Sequence, residues 1–280
     1  AVRPTSLTTF TGTRGSSRIP PGSLYDKWCS LNGDDESGDG TLERPYRTIA
    51  RALQDDVGQP MVIHLQNGTY VGVDIPTTPV PRPSLTIQGC ASNGANEVNI
   101  TPGPAGPAIN LQPAAIAEAP FIRSLVLRNL NLDGDGVSPA VRVVNALGAP
   151  ANTFLESADG LWIENCFLNG NGTDALFVDR AGKVSLLNNQ VNGNVQMGQC
   201  GGGFALNCEH FVGTWFVLFD PTAVGPIAGV RPFRFKACNL IDTLFFGAPI
   251  VEIDAATKGE VFYTSPTTFG AGAQAIIECR

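Results

Sequence analysis

The chain is poor in charge, in histidine and in methionine. Charged residues make up 15% of its 280 residues, with two His and two Met. A soluble domain usually carries about a quarter charged residues. There is no basic excess either: Lys and Arg number 18 against 25 Asp and Glu, for a net charge of −7 and a pI near 4.8. That balance speaks against a nucleic-acid partner, and an acidic surface repels polyanions unless a local basic cleft exists. No two cysteines have CxxC spacing, and with His64 and His210 alone a zinc site is not expected. No apolar run reaches the roughly 18 to 20 residues that a bilayer-spanning helix needs. Gly201–Gly203 introduces no helix, so no phosphate-binding loop is expected there. Helical periodicity is missing after residue 56, except around Ala114–Glu118.

What is present is apolar and punctuated. Hydrophobic residues make up 43%, with 32 Gly and 21 Pro. Residues 1–24 are rich in Ser, Thr, Pro and Gly without periodicity and read as an extended arm. Residues 25–60 read as a capping loop and helix. An acidic turn-rich loop, NGDDESGDG, precedes Pro45 and then Thr48 as the N-cap. Ile49, Ala52 and Leu53 form one apolar face, with Arg47 and Arg51 turned away. A helix of barely two turns needs tertiary packing to persist. From Met61 to the end, strand-sized apolar runs recur, each bounded by Gly, Asn, Asp or Pro.

These runs are self-similar. Ile87-Gln-Gly-Cys90, Leu127-Arg-Asn-Leu130, Ile163-Glu-Asn-Cys166, Leu186-Leu-Asn-Asn189, Ala205-Leu-Asn-Cys208 and Phe235-Lys-Ala-Cys238 share one form. An apolar residue is followed by any residue, then a small one or Asn, then Cys, Asn or Leu. Stacked rungs of a parallel solenoid give a physical reason. A turn that needs left-handed backbone recruits Asn or Gly in every rung, and small polarizable Cys suits an interior stack. The expected fold is an all-β, right-handed parallel β-helix of about eight to ten rungs over 61–280. The single helix of 47–54 would cover its open first rung, at Met61, against edge-to-edge association.

The seven cysteines leave two readings. In one, Cys90, Cys166, Cys208 and Cys238 are buried and reduced at one repeat position. In the other they form disulfides, with Cys200 and Cys208, flanking a Gly-rich turn, as the best pair. Cys29 and Cys279 lie at the two ends and could pair with neighbouring molecules. Three glycosylation sequons, at Asn67, Asn99 and Asn171, say little about secretion, because about that many arise by chance.

The segment GDGTLERPYRTIARALQ, followed by VIHLQNGTYVG, resembles the opening of right-handed parallel β-helix proteins of the pectate-lyase-like superfamily. The resemblance is closest over residues 38–72, and later rungs match in texture. It implies the fold, while that fold serves lyases, hydrolases, phage tailspikes, adhesins and viral surface proteins. For the lyases of the superfamily the resemblance implies carboxylates holding Ca²⁺ on one sheet, beside an Arg or Lys that removes the proton next to a uronate. Asp133 and Asp135 are the calcium candidates here, with Arg231, Arg234 and Lys236 as candidate bases. Glu164, Asp174, Asp179 and Asp220 are further carboxylates, of which Asp174 and Asp179 could converge with Arg180 and Lys183 on one rung edge. Each has a plain alternative as a turn former or a solvated strand residue. The paired-Asp pattern of the superfamily's glycoside hydrolases does not stand in this sequence, and neither His has an evident nucleophile partner.

Aromatic residues concentrate in the later rungs, and runs such as FVGTWFVLFD cannot turn every ring inward. Some must lie on the outside, where a glycan or a protein neighbour could cover them. Two functions are therefore expected in order. The first is a non-enzymatic structural protein of an extracellular assembly or virion surface, contacting glycans and tied to neighbouring subunits through the arm and the outer aromatics. The second is a Ca²⁺-dependent uronate lyase. They are separated by whether the candidate carboxylates and bases share one sheet.

Overall fold

A computed structural model describes residues 25–55, 58–75, 82–90, 98–111, 122–144, 160–179, 181, 183–198, 203–213, 215–218, 233–246, 250–253, 257–264 and 276–279. The arm of residues 1–24 and Arg231, Cys200, Asp220 and Arg180 lie outside the described residues.

The chain is a right-handed parallel β-helix. One face is a ten-stranded sheet, running from Asp26–Cys29 through Met61–Leu65, Arg82–Gly89, Ile122–Arg128, Leu161–Glu164, Val184–Leu187, Gly203–Leu206, Phe233–Lys236 and Ile250–Ile253 to Ile276–Cys279. A twelve-stranded sheet forms the opposing wall, and the described strand pairs in both are parallel. Alternation explains why the two walls enclose a core. In the strand Met61–Leu65, Met61, Ile63 and Leu65 are buried while Val62 and His64 are half-buried. Successive rungs stack like on like: Ile63, Ile87, Leu127, Ile163, Leu186, Ala205 and Phe235 are register partners in turn, each fully buried.

The repeat seen in the sequence is the turn leaving the ten-stranded sheet. Asn129, Asn165, Asn188 and Asn207 take positive φ of 55, 53, 53 and 52°. Their amides form a ladder: Asn165 Nδ2 donates to Asn129 Oδ1 (3.3 Å), Asn188 to Asn165 (3.2 Å) and Asn207 to Asn188 (3.0 Å). Ala237 occupies the next rung at φ 47°. Left-handed backbone costs a residue with a Cβ about 1–2 kcal/mol, which Asn offsets by local hydrogen bonding. Ala237→Asn should therefore raise stability by about 1 kcal/mol and extend the ladder, measured as a higher urea midpoint with an unchanged slope. An unchanged or lower midpoint would show that the ladder stops at Asn207 for another reason.

One residue further on lies the cysteine stack. Cys166, Cys208 and Cys238 are buried and free, with Asn189 in the same column between Cys166 and Cys208. Burial pushes the Cys166 thiol up to about 12, which suits inert packing rather than redox chemistry. The disulfide reading is corrected at Cys90, Cys166, Cys208 and Cys238, all unbridged, although Cys90 is half-buried and not buried as expected. Cys208 is unbridged, and its Sγ donates to the Leu206 carbonyl at 3.5 Å. Cys29 does not face a neighbouring molecule. It is buried inside the first rung, with its Sγ 3.5 Å from the Thr48 carbonyl, because the helix covers it.

The cap is larger than the helix. The ladder begins at Asp26 rather than Met61, since Asp26–Cys29 pairs in register with Val62–Leu65. The loop that follows folds back along this strand: Trp28 N–H donates to Gly40 O, Tyr46 N–H to Trp28 O, and Ser30 N–H to Tyr46 O. The acidic loop thereby supplies backbone partners to an edge that would otherwise be open. The helix Ile49–Leu53 forms as its sequence requires. Thr48 caps it by accepting from Arg51 N–H at 3.1 Å, and Ile49, Ala52 and Leu53 are buried. Asp35 holds the start, accepting from Arg47 N–H (2.7 Å), Thr48 N–H (3.0 Å) and Thr48 Oγ1 (2.7 Å).

Asp55 holds the helix end. Its carboxylate accepts from the Tyr46 hydroxyl and pairs with Arg51 Nη1 (2.6 Å) and Lys27 Nζ (3.2 Å). Partial burial pushes its pKa up, but these three donors outweigh it and the net shift is downward. A depressed folded-state pKa means the stabilisation is complete above the ordinary value of 3.8 and disappears as the pH falls below it. Asp55→Asn should flatten stability against pH in that acid range while lowering it at neutral pH, read from chemical denaturation at several pH values. Equal acid sensitivity of the two proteins would contradict this.

Candidate functional site

The outer face of the ten-stranded sheet carries a built surface. Trp162 and Phe204 both point outward, two rungs apart, with Ser185 between them in register. Adjacent strands lie about 4.8 Å apart, yet the two ring centroids are 5.8 Å apart in an edge-to-face contact at 83°. The rings lean together over Ser185, which is 2% exposed despite its outward position. A larger residue at 185 would hold them apart.

Charge surrounds this pair. Trp162 Nε1 donates to Glu164 Oε2 at 3.3 Å, and the same oxygen pairs with Arg128 Nε at 3.0 Å. Lys183 Nζ stands 5.4 Å from the Phe204 ring centroid, a cation–π distance. Arg234 is the register partner of Phe204 and Lys236 that of Leu206, and both are exposed. An aromatic edge-face pair is thus bordered by Arg128, Lys183, Arg234 and Lys236, on a chain whose net charge is −7. Such a surface can stack on the apolar face of a sugar ring and attract an anionic substituent.

The candidate lyase residues are not brought together. Asp133 ends a strand of the twelve-stranded sheet, while Arg234 and Lys236 lie on the ten-stranded sheet, four strands further along than the strand of the Asp133 rung, Ile122–Arg128. That is about 19 Å along the axis at the usual strand spacing, with the core between. Asp133 Oδ1 accepts from Asn169 Nδ2 at 2.9 Å, in an amide ladder continued by Asn192 to Asn169 at 3.0 Å. Asp135 shapes its own turn by accepting from the backbone N–H groups of Ser138 and Val137, which lower its pKa. Among the described residues no three His, Cys, Asp or Glu are grouped so that they could hold a metal ion. Asp174 accepts from Gln196 Nε2 (2.9 Å) and Asn194 Nδ2 (3.2 Å), and Lys183 serves Phe204 instead of converging on it.

His64 lies in the strand Met61–Leu65, and His210 in the strand Glu209–Val212, fully buried, with Nε2 3.0 Å from the Gly193 carbonyl and its ring edge-on to Trp215 at 6.0 Å. Gly193, at φ 130°, adopts a backbone conformation that L side chains rarely take. A groove of about 480 Å³ runs beside the cap, lined by Leu31, Thr48, Tyr70, Val71, Asp74 and Pro104. The Ser185 gap was missed in the sequence. Its signal was a small polar residue inside an otherwise apolar run, VSLL.

Among solved structures the chain is similar to several pectin methylesterases. The enzyme from Aspergillus niger aligns over 90% of this chain and 83% of its own at 13% identity, with a TM-score of 0.47. The enzyme from Erwinia chrysanthemi aligns over 90% and 91% at 15% identity and a TM-score of 0.38. That of the rice weevil aligns over 86% and 82% at 12% identity, with 0.43. No curated protein matches. A family model described as a protein of unknown function, DUF1565, matches residues 31–211, from the capping loop to the strand holding His210, and the chain belongs to that family.

Proposed function

We propose that this chain is a structural β-helix of an extracellular assembly or virion surface, without polysaccharide-cleaving activity, that contacts carboxylated glycans through the outer face of its ten-stranded sheet. The observation that carries this reading is the Trp162–Phe204 pair closed over Ser185 and bordered by Lys183, Arg234 and Lys236. Inward alternation accounts for the core aromatics Trp215 and Phe235, which meet at 5.0 Å inside the solenoid. It does not account for two aromatics on an outer face, where they lose water on one side and offer a platform on the other.

The test is binding to immobilised neutral and carboxylated polysaccharides, with intrinsic tryptophan fluorescence as a second readout. Retention on carboxylated polymers, weakened by salt, supports the reading. No retention on any polymer overturns it. The lyase reading asks for calcium-dependent formation of unsaturated product, followed by ultraviolet absorbance on the same polymers. Its candidate groups, Asp133 with Asp135 and Arg234 with Lys236, start from different sheets.

A further inference from the structure

Three rungs before Trp162, on the same sheet, a second cluster stands apart from the glycan-facing surface. His64 is held flat against Trp28, with ring centroids 4.4 Å apart and planes 12° from parallel. Its Nε2 lies 3.4 Å from Asp26 Oδ1, while its Nδ1 lies 3.0 Å from Gln88 Nε2 and 3.9 Å from Cys90 Sγ. Asp26, His64 and Gln88 come from three successive strands, with Cys90 just past the third. The side chains of His64 and Asp26 are 16% and 9% exposed.

The partners assign the tautomer. A carboxylate accepts, so Nε2 carries the proton and donates to Asp26. Nδ1 is then the lone pair, and it faces an amide N–H and a thiol. A thiol, a base beside it and a carboxylate orienting that base is the arrangement that activates a nucleophile. Among the described residues the other four free cysteines differ. Cys29, Cys166, Cys208 and Cys238 are buried in the core, and Cys90 is half-buried. Burial pushes the Cys90 thiol up, so the resting group is protonated and attack needs a base.

We propose that Cys90 is a modification site that takes an acyl group from an ester or thioester donor, with His64 as its general base and Asp26 as the positioning residue. Sγ attacks the acyl carbonyl and its proton passes to Nδ1. Gln88 Nε2, released from Nδ1, is then free to donate to the developing oxyanion. The bond from the acyl carbon to the leaving oxygen or sulfur then breaks. The leaving group takes the proton from His64, and an S-acyl Cys90 remains. Electrons and protons balance without a further reactant. The site does not depend on the glycan reading, since it shares no residue with it.

The full chain would be treated with p-nitrophenyl acetate, following p-nitrophenolate release and mapping the acetyl group by peptide mass. The Cys90-dependent release should amount to one equivalent, with the acetyl group on Cys90 and on none of the buried Cys29, Cys166, Cys208 or Cys238. Cys90→Ser should abolish that burst. His64→Gln should slow it about 100-fold, the scale of general-base assistance. Asp26→Asn should slow it and Asp26→Glu should restore most of the rate, whereas a purely structural loss would not distinguish the two by rate at equal melting temperature. Labelling of Cys90 at the same rate in His64→Gln would overturn the proposal, as would Cys90-dependent release well beyond one equivalent. Iodoacetamide labelling of the same variants gives a second measure independent of ester hydrolysis.

Discussion

Asn189→Leu should cost about 3 kcal/mol, as two buried backbone groups lose their partner. That corresponds to a fall in melting temperature of about 6 to 12 °C for a large domain. Asn189 is 1% exposed and sits in the cysteine column. Its Oδ1 accepts from Cys166 N–H at 2.9 Å, and its Nδ2 donates to the Ile163 carbonyl at 2.9 Å. It therefore closes the turn of the preceding rung from the next one. Leu keeps the branched outline of Asn but is bulkier, so a smaller overpacking cost adds to the loss of the two hydrogen bonds. Asn189→Cys separates the terms further. It restores the side chain that neighbouring rungs use, yet a thiol cannot bridge both groups, so most of the loss should remain. A Cys variant as stable as the parent would show that shape, not the bridge, matters at this position. Differential scanning calorimetry is the measurement. Its peak shape also reports whether the solenoid melts as one unit, which stacked rungs need not do.

Trp162→Ala should weaken binding to a carboxylated polysaccharide about 30-fold or more, since a central aromatic anchor is commonly worth 2 kcal/mol or above. Three terms fall together. The stacking surface is lost, Phe204 loses its edge contact, and Glu164 loses the Nε1 donor at 3.3 Å. Glu164 keeps Arg128 at 3.0 Å, so the ion pair should survive and the fold with it. Phe204→Ala should cost less, because Trp162 retains its own anchor. Ser185→Leu is the sharper companion variant: it keeps both rings but forces them apart, and should weaken binding without removing either ring. Titration calorimetry against one purified oligosaccharide distinguishes these cases. Full affinity in Trp162→Ala would place glycan contact elsewhere or nowhere on this chain.

The two results separate kinds of information. The turn was legible because its constraint is local. A left-handed residue at one fixed place in each rung restricts that place to Asn, Gly or a strained exception, and Asn129, Asn165, Asn188 and Asn207 write that restriction into the sequence. The capping helix was legible for the same reason, since Thr48, Ile49, Ala52 and Leu53 lie within six residues. The alternation that buries Ile63, Ile87, Leu127 and Ile163 is likewise a property of each strand alone.

Residues that meet across rungs were a different matter. Asn189 reaches Cys166 across 23 positions, and His64 reaches Cys90 across 26. Which residues stack depends on how much chain each turn takes up, and the turns here differ in length. A one-residue change of register would send Ser185 inward and part Trp162 from Phe204. The same dependence decided the candidate lyase groups. Asp133 and Arg234 each had the right chemistry in the sequence, but the sheet on which a strand lies follows from the path of the whole coil. Local pattern thus determined the solenoid, its Asn turn and its capping helix. The winding of the coil alone decided which side chains share a face, because contacts between rungs are set by register and not by neighbours in the chain.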